Sequence, residues 1–216
     1  MLVNEIFPSI EGEGLWAGVP TTFVRLYGCN LHCSYCDTRY ACDGGKDEFT
    51  HLSIDDILDA VEVFGNEHIT LTGGEPLLQK DVYSLIKELI HHGYHVNLET
   101  NGSQAVVLYT HYNDITVTMD YKSISSGENG KMLLSNLYAL RSQDVLKFVV
   151  GNMEDLEDMR KVLEKYPLAC HIFISPIFGQ IDPKDIVDYM LQHNLQNCRL
   201  QLQMHKFIWP ADQRGV

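Results

Sequence analysis

Long apolar runs are missing from this chain of 216 residues. None approaches the length, about 20 residues, that a membrane-crossing helix needs. The opening residues, Met1-Leu2-Val3-Asn4-Glu5, carry no basic stretch followed by an apolar one. A secretion signal is therefore not expected, and the reducing cytoplasm is the expected compartment. Positive charge is also scarce: 16 Lys and Arg stand against 29 Asp and Glu, for a formal net charge of −13. A chain of that balance repels nucleic acid unless its cations are concentrated in one place, so neither nucleic acid nor membrane is an expected partner. Low-complexity tracts and long Pro, Gly or Ser linkers are absent, which leaves no boundary at which to divide the chain. Disorder is excluded by 45 % hydrophobic and 21 % charged residues, ordinary values for a chain with a sizeable core.

Strand-like and helix-like segments alternate along the chain. Thr21–Tyr27, His68–Leu71, Tyr94–Glu99, Asp114–Met119, Val145–Val150, Cys170–Ser175 and Arg199–Met204 read as strands, rich in β-branched and aromatic residues. Ser53, with Asp56 three residues on, reads as a helix cap ahead of Ile54, Ile57, Leu58 and Val61. Further helices are expected from Pro76 to about His92, from Lys131 to Leu140, from Met153 to Tyr166 and from Asp182 to His193. This alternation predicts an α/β fold with a parallel sheet and crossover helices. About six repeats are too few for a closed eight-unit barrel, so a partial barrel is expected, with active residues at the carboxyl ends of its strands.

Cysteine is unevenly placed. Of Cys29, Cys33, Cys36, Cys42, Cys170 and Cys198, the first three fall within eight residues, directly after the first strong strand. In a cytosolic chain such clustering points to metal or catalysis rather than to disulfides. Three thiolates this close can hold three corners of an iron–sulfur cluster and leave one iron open to a small molecule. A structural zinc site built from the same cysteines with Cys42 or His32 is the competing reading. Cys42 reads as a bystander on the loop, and Cys170 and Cys198 as core thiols. The Cys-x3-Cys-x2-Cys spacing resembles the radical S-adenosylmethionine superfamily. That resemblance implies a 4Fe-4S cluster whose fourth iron is chelated by S-adenosylmethionine, and a 5′-deoxyadenosyl radical that takes a hydrogen atom from substrate.

Other motifs fall at predicted strand ends. Thr72-Gly73-Gly74-Glu75-Pro76 lets a backbone approach a ligand closely and offers amides at a helix start; by itself it is also a plain turn. It resembles the superfamily element that holds the methionyl amino group. Glu99-Thr100-Asn101-Gly102, Asp120-Tyr121-Lys122 and Ser175-Pro176-Ile177-Phe178 each end a later strand and suit a cofactor laid across the rim. Tyr35 lies where the superfamily places an aromatic against adenine; simple loop packing is the alternative.

Ile6-Phe7-Pro8-Ser9-Ile10-Glu11-Gly12-Glu13-Gly14 sets two carboxylates among glycines, which suits a loop wrapped around a ligand rich in N–H donors, or an exposed acidic turn. Arg25 shares a strand face with Phe23 and Tyr27, where its fork can bind a carboxylate or enter a buried ion pair. Thr38 offers a hydroxyl oxygen to a hard cation beside the cysteines. His205-Lys206-Phe207-Ile208-Trp209-Pro210 closes the last strand and can simply cap the fold.

Together these segments, with Leu146-Lys147 and Gln203-x-His205-Lys206, resemble the 7-carboxy-7-deazaguanine synthase family over nearly the whole chain. The resemblance implies one radical S-adenosylmethionine domain over residues 1–216, a compact partial (β/α)6 barrel with short N- and C-terminal extensions at the substrate site, working as a homodimer. It implies conversion of 6-carboxy-5,6,7,8-tetrahydropterin to 7-carboxy-7-deazaguanine with loss of ammonia, toward queuosine and other 7-deazapurines. Cys29, Cys33 and Cys36 would hold the cluster, and Thr38 would ligate Mg2+. Tyr35, Cys36, Asp37, Gly73, Gly74, Glu75, Glu99, Asn101, Asp120, Tyr121, Lys122, Ser175, Pro176, Ile177 and Phe178 would surround S-adenosylmethionine. Ile10, Glu11, Gly12, Glu13, Arg25, Thr72, His205 and Pro210 would surround substrate, with Glu13 and Arg25 supporting the chemistry. An electron donor such as flavodoxin or ferredoxin is implied. An activase for a glycyl-radical protein shares the cysteine spacing but has no need of Glu11, Arg25 and Thr38 together; a zinc-stabilised interaction module is the non-catalytic rival.

Overall fold

The computed structural model describes residues 1–216. Nine strands form one sheet: β1 (Leu2–Ile10), β2 (Pro20–Leu26), β3 (Thr50–His51), β4 (His68–Gly73), β5 (His95–Thr100), β6 (Ile115–Lys122), β7 (Val145–Val150), β8 (His171–Pro176) and β9 (Cys198–Leu200). Their order is β3-β1-β2-β4-β5-β6-β7-β8-β9, parallel from β2 to β9, with β1 antiparallel to both of its neighbours. The seven helices are α1 (Tyr40–Asp43), α2 (Ile54–Glu62), α3 (Val82–His91), α4 (Asn136–Ala139), α5 (Met153–Lys165), α6 (Pro183–Gln192) and α7 (His205–Ile208). None is long and apolar enough to cross a membrane. The edge strands β3 and β9 do not pair with each other, so the sheet is a partial barrel, as the count of repeats predicts.

The central strands alternate: one face is apolar and covered by the helices, while the other turns polar side chains such as Thr70, Asn97, Thr116 and Thr118 to the lumen. Ile69, Leu71, Leu98, Val117, Leu146, Phe148 and Ile174 are fully buried and pack against Ile57, Leu85, Ile86, Leu89, Leu156 and Ile186 of the helices. Ser53 caps α2 through a reciprocal pair of bonds with Asp56, and Asp182 caps α6 ahead of Pro183. Cys170 and Cys198 are buried core thiols, as expected.

Four local expectations change. The segment Ile6–Gly14 is not loop throughout: β1 runs to Ile10, paired with β2 from Ile6↔Val24 to Ile10↔Pro20, and only Glu11–Gly14 leaves the sheet. Pro8 is accommodated because β3 covers β1 only at Leu2 and Val3, leaving an open edge beside the proline. The Pro76–His92 helix is split into a short turn, Pro76–Leu78, and α3. Between them the Gln79 side chain bonds Leu2 N and O and Tyr27 O, which ties the chain to β1. The Lys131–Leu140 helix shrinks to α4. Leu133 N bonds Gly102 O and the buried Asn136 amide bonds Gly102 O, Gln104 O and Val106 N, so this stretch anchors the loop after β5. Finally, Arg199–Met204 is strand only as far as Leu200. Gln201 turns inward to bond both N and O of Gly14, and Met204 N bonds Gly12 O.

Candidate active site

A cavity of about 460 Å³ opens at the carboxyl ends of the parallel strands, in the range of small-molecule sites. Its walls come from the loop after β2, the ends of β4, β5, β6 and β8, the middle of β7, the Glu11–Glu13 loop and residues 211–216.

Cys29, Cys33 and Cys36 share one wall of this cavity with Tyr35, Asp37 and Thr38. Cys29 and Cys36 are held down to about 6 by the neighbouring Cys42 thiol, against burial, helped by the Leu31 amide at Cys29 and by Thr38 at Cys36. Burial raises Cys33. Cys42, read from the sequence as a bystander, therefore touches the thiols and lines the same cavity. No three Cys, His, Asp or Glu side chains converge on one ion position, the arrangement a zinc site needs. A cluster makes a different demand, since each thiolate binds its own iron. The three exposed-to-cavity sulfurs and their amide and hydroxyl neighbours fit that demand. Thr38 Oγ1 lies 3.8 Å from Cys36 Sγ and faces the cavity, a single protein oxygen of the kind that suffices for a cation keeping most of its water.

Gly73 and Gly74 expose bare backbone beside the thiols. A Cβ on Gly74 would lie 2.4 Å from Gly28 O and 2.8 Å from Cys29 Cβ, so only glycine lets β4 approach the cysteine loop this closely. The Tyr35 hydroxyl is buried without a hydrogen-bond partner. An orphaned polar atom in a cavity wall fits a missing polar ligand, here the implied S-adenosylmethionine. Glu99, Asn101, Asp120, Lys122, Pro176, Ile177 and Phe178 line the same side. Burial opposes the charge of Asp120, but Lys122 and Lys147 outweigh it and hold its carboxyl down at about 2.

Across the cavity stand Ile10, Glu11, Gly12, Glu13, Arg25, Thr72 and His205. Glu11 accepts from Thr70 Oγ1 (2.5 Å) and Asn97 Nδ2 (3.3 Å). Burial and then Glu99 push it up to about 8, so it is a neutral acid at neutral pH. Glu13 accepts from Lys147 Nζ (2.9 Å) and Ser175 Oγ (3.1 Å). Arg25 donates Nε to Glu5 Oε1 at 2.7 Å, the buried ion pair, while still lining the cavity. Gly12 carries no side chain because a Cβ there would meet His205 Nδ1 at 2.8 Å.

Four expected ligand contacts do not reach the cavity. Glu75 is turned inward, accepting from Leu77 N, Thr100 Oγ1 and Asn101 N, so its carboxylate stitches β4 to the end of β5. Burial raises it to about 7 against those bonds. Tyr121 points to the opposite face of β6 from Asp120 and Lys122 and packs on Phe148 at 4.9 Å, as strand alternation requires. Ser175 lies beneath the floor, supporting Glu13. Pro210 is exposed outside the wall, and the residues after it, 211–216, line the cavity instead. Arg214 of that segment stacks 3.6 Å over the Tyr40 ring and pairs with Glu48 at 3.1 Å. The cavity-lining residues without a role in the sequence reading are Lys147, Gln203 and Lys206, which fall in the family's motifs, and Phe23, Leu31, Tyr40, Cys42, Thr100, Val149 and residues 211–216. Strand periodicity alone places Lys147 on the lumen face, since β7 alternates there; nothing local marks the terminal segment.

Residues 23–166 match the radical SAM superfamily, and the chain belongs to that superfamily. Its relatives narrow this. A 7-carboxy-7-deazaguanine synthase of Clostridium acetobutylicum is 41 % identical, over 99 % of this chain and 98 % of its own. One of Methanospirillum hungatei is 45 % identical, over 96 % and 85 %. Within the superfamily the chain belongs to the 7-carboxy-7-deazaguanine synthase family. The crystal structure of QueE from Escherichia coli superposes with a TM-score of 0.78 at 25 % identity, over 94 % of each chain. Streptococcus suis SuiB shares the fold at 14 % identity, with a TM-score of 0.60 over 83 % of this chain and 48 % of its own.

Proposed function

We infer that this chain is a 7-carboxy-7-deazaguanine synthase, converting 6-carboxy-5,6,7,8-tetrahydropterin to 7-carboxy-7-deazaguanine and ammonia in 7-deazapurine synthesis. The observation that carries this reading is the meeting, in one cavity, of the three-cysteine wall with the acidic and Arg-lined opposite wall. An activase of a polypeptide would have no use for that second wall. Product and ammonia together account for every atom of the substrate, so the reaction needs no net oxidant.

Cys29, Cys33 and Cys36 would hold the cluster, which with S-adenosylmethionine would supply a 5′-deoxyadenosyl radical for removal of a substrate hydrogen. This chain's residues place the partners. Tyr35, Asp37, Gly73, Gly74, Glu99, Asn101, Asp120, Lys122 and Pro176–Phe178 form the cofactor side, Glu75 and Tyr121 support it from behind, and Ser175 supports Glu13 on the pterin side. Ile10–Glu13, Arg25, Thr72, His205 and residues 211–216 form the pterin side. Glu11, kept neutral, offers a proton to a ring acceptor, and the Glu13 carboxyl oxygens accept from ring N–H groups. Thr38, which faces the cavity, would offer one oxygen to Mg2+, a cation that keeps most of its water. Residues 1–216 act as one domain in a cytoplasmic homodimer, reduced by a flavodoxin or ferredoxin. Anaerobic turnover of reconstituted protein with S-adenosylmethionine, Mg2+, reductant and the pterin tests the reading. The deazaguanine carboxylate, without net loss of S-adenosylmethionine, is the expected result. 5′-Deoxyadenosine without that product would refute the substrate.

A further inference from the structure

Lys147 is the one cation that hydrogen-bonds carboxylates from both sides of the cavity. It stands on β7 opposite Asp120 of β6 in the parallel register. Its Nζ donates to Glu13 Oε2 at 2.9 Å and lies 3.0 Å from Asp120 Oδ1, and its side chain is 8 % exposed. Glu13 belongs to the pterin side and Asp120 to the cofactor side. Lys122 Nζ meets Asp120 alone, at 2.8 Å, and Arg25 meets Glu5. Each carboxylate also has partners in its own half: Ser175 and Gln203 on Glu13, Lys122 on Asp120. Charge balance at Asp120 thus does not rest on Lys147 alone. What this lysine alone provides is a fixed link between the two carboxylates.

We propose that Lys147 is a positioning residue that couples the two ligand sites, so that pterin and S-adenosylmethionine bind cooperatively; the proposal rests on the function inferred above. N–H donors of the pterin ring compete with Lys147 for Glu13. The ammonium then moves its hydrogen bonding toward Asp120 and fixes that carboxylate before the cofactor's hydroxyls arrive. A carboxylate already ordered by the first ligand costs the second less to order, and by linkage the gain is mutual.

The test uses reconstituted holoenzyme without reductant, so that nothing turns over, with each ligand titrated calorimetrically in the absence and presence of the other. In the wild type, each ligand is expected to tighten the other by about tenfold. In Lys147→Met that factor falls to about one, and Lys147→Arg regains part of it. Lys122→Met weakens S-adenosylmethionine but keeps the factor, because it leaves the Glu13–Lys147–Asp120 link intact. Under turnover, Lys147→Met releases more 5′-deoxyadenosine per product than the wild type. Iron content and circular dichroism report the fold; should Lys147→Met lose its cluster, Glu13→Ala leaves no oxygen for the ammonium, breaks the same link and carries the same expectation. A factor retained in Lys147→Met or Glu13→Ala overturns the proposal, as does equal loss of the factor in Lys122→Met. A wild type that makes no deazaguanine carboxylate overturns the inferred function, and this coupling with it; a productive wild type with no linkage overturns the coupling alone.

Discussion

Glu11→Gln is expected to flatten much of the pH dependence of this protein's stability between about pH 5 and 8. Glu11 is 3 % exposed, at the floor of the cavity. Burial, then the nearby Glu99, push its carboxyl from 4.5 up to about 8, against the hydrogen bonds from Thr70 and the Glu13 amide. In the unfolded chain the group titrates near its ordinary value. Between 4.5 and about 8 the folded protein therefore holds a proton that the unfolded chain has released. Stability conferred below that window is lost as pH rises through it. At about 1.36 kcal/mol per pH unit, the full loss is at most about 5 kcal/mol above pH 8. Glutamine reproduces the neutral acid: its amide oxygen can accept from Thr70 and Asn97, and it has no proton to lose. The variant should match the wild type within about 1 kcal/mol near pH 5 and exceed it by several at pH 8.5. Glu75, also raised, bends both curves alike and cancels in their difference, which reports Glu11 together with its repulsion by Glu99. Urea unfolding of the reduced, cluster-free chain, followed by circular dichroism across this range, measures it. Parallel curves for the two proteins would refute the reasoning.

Three further outcomes are expected. Cys42→Ser should bind the same iron and sulfide per chain as the wild type, whereas Cys33→Ser should not; chemical iron analysis after anaerobic reconstitution separates them, and a Cys42→Ser protein devoid of iron would make Cys42 a ligand. Gly74→Ala should destabilise by about 1–3 kcal/mol, because the new methyl must displace the Gly28 carbonyl and Cys29, read as a lower thermal midpoint with iron loss. Arg25→Ala should lower kcat/KM for the pterin by on the order of a hundredfold, the consequence of removing one buried charged partner; a mild effect would favour a polypeptide substrate.

Much of the site was legible because its chemistry is local. Cys29, Cys33 and Cys36 lie on one short loop, and any fold that follows a strand with that loop brings the thiols together. Gly73 and Gly74 announce a close approach of backbone that the structure then requires. Strand ends could be placed from periodicity, so Asp120 and Lys122 were found at the rim. Tyr121, which the resemblance sets beside them, is turned by strand alternation into the core against Phe148. Glu75 misled for another reason. A carboxylate in a motif looks like a ligand contact until the Leu77 and Asn101 amides and the Thr100 hydroxyl are seen to occupy it. The broken helices at Gln79 and at Asn136 owe their breaks to bonds with segments distant in the chain, which no local propensity encodes.

The alternation of strands and helices, the position of the site at the strand ends and the thiols that define its chemistry are all written in the amino-acid order. These follow from side-chain period and from residues adjacent in the chain. Only the tertiary structure decided which carboxylates face the cavity, which are neutral, and how they are joined. Glu13, Asp120 and Lys147 lie far apart in the chain and meet because β6 and β7 pair in register while the Glu11–Gly14 loop enters the lumen. The charge of Asp120 is held by Lys122 and Lys147 against burial, and burial exists only once the barrel has formed.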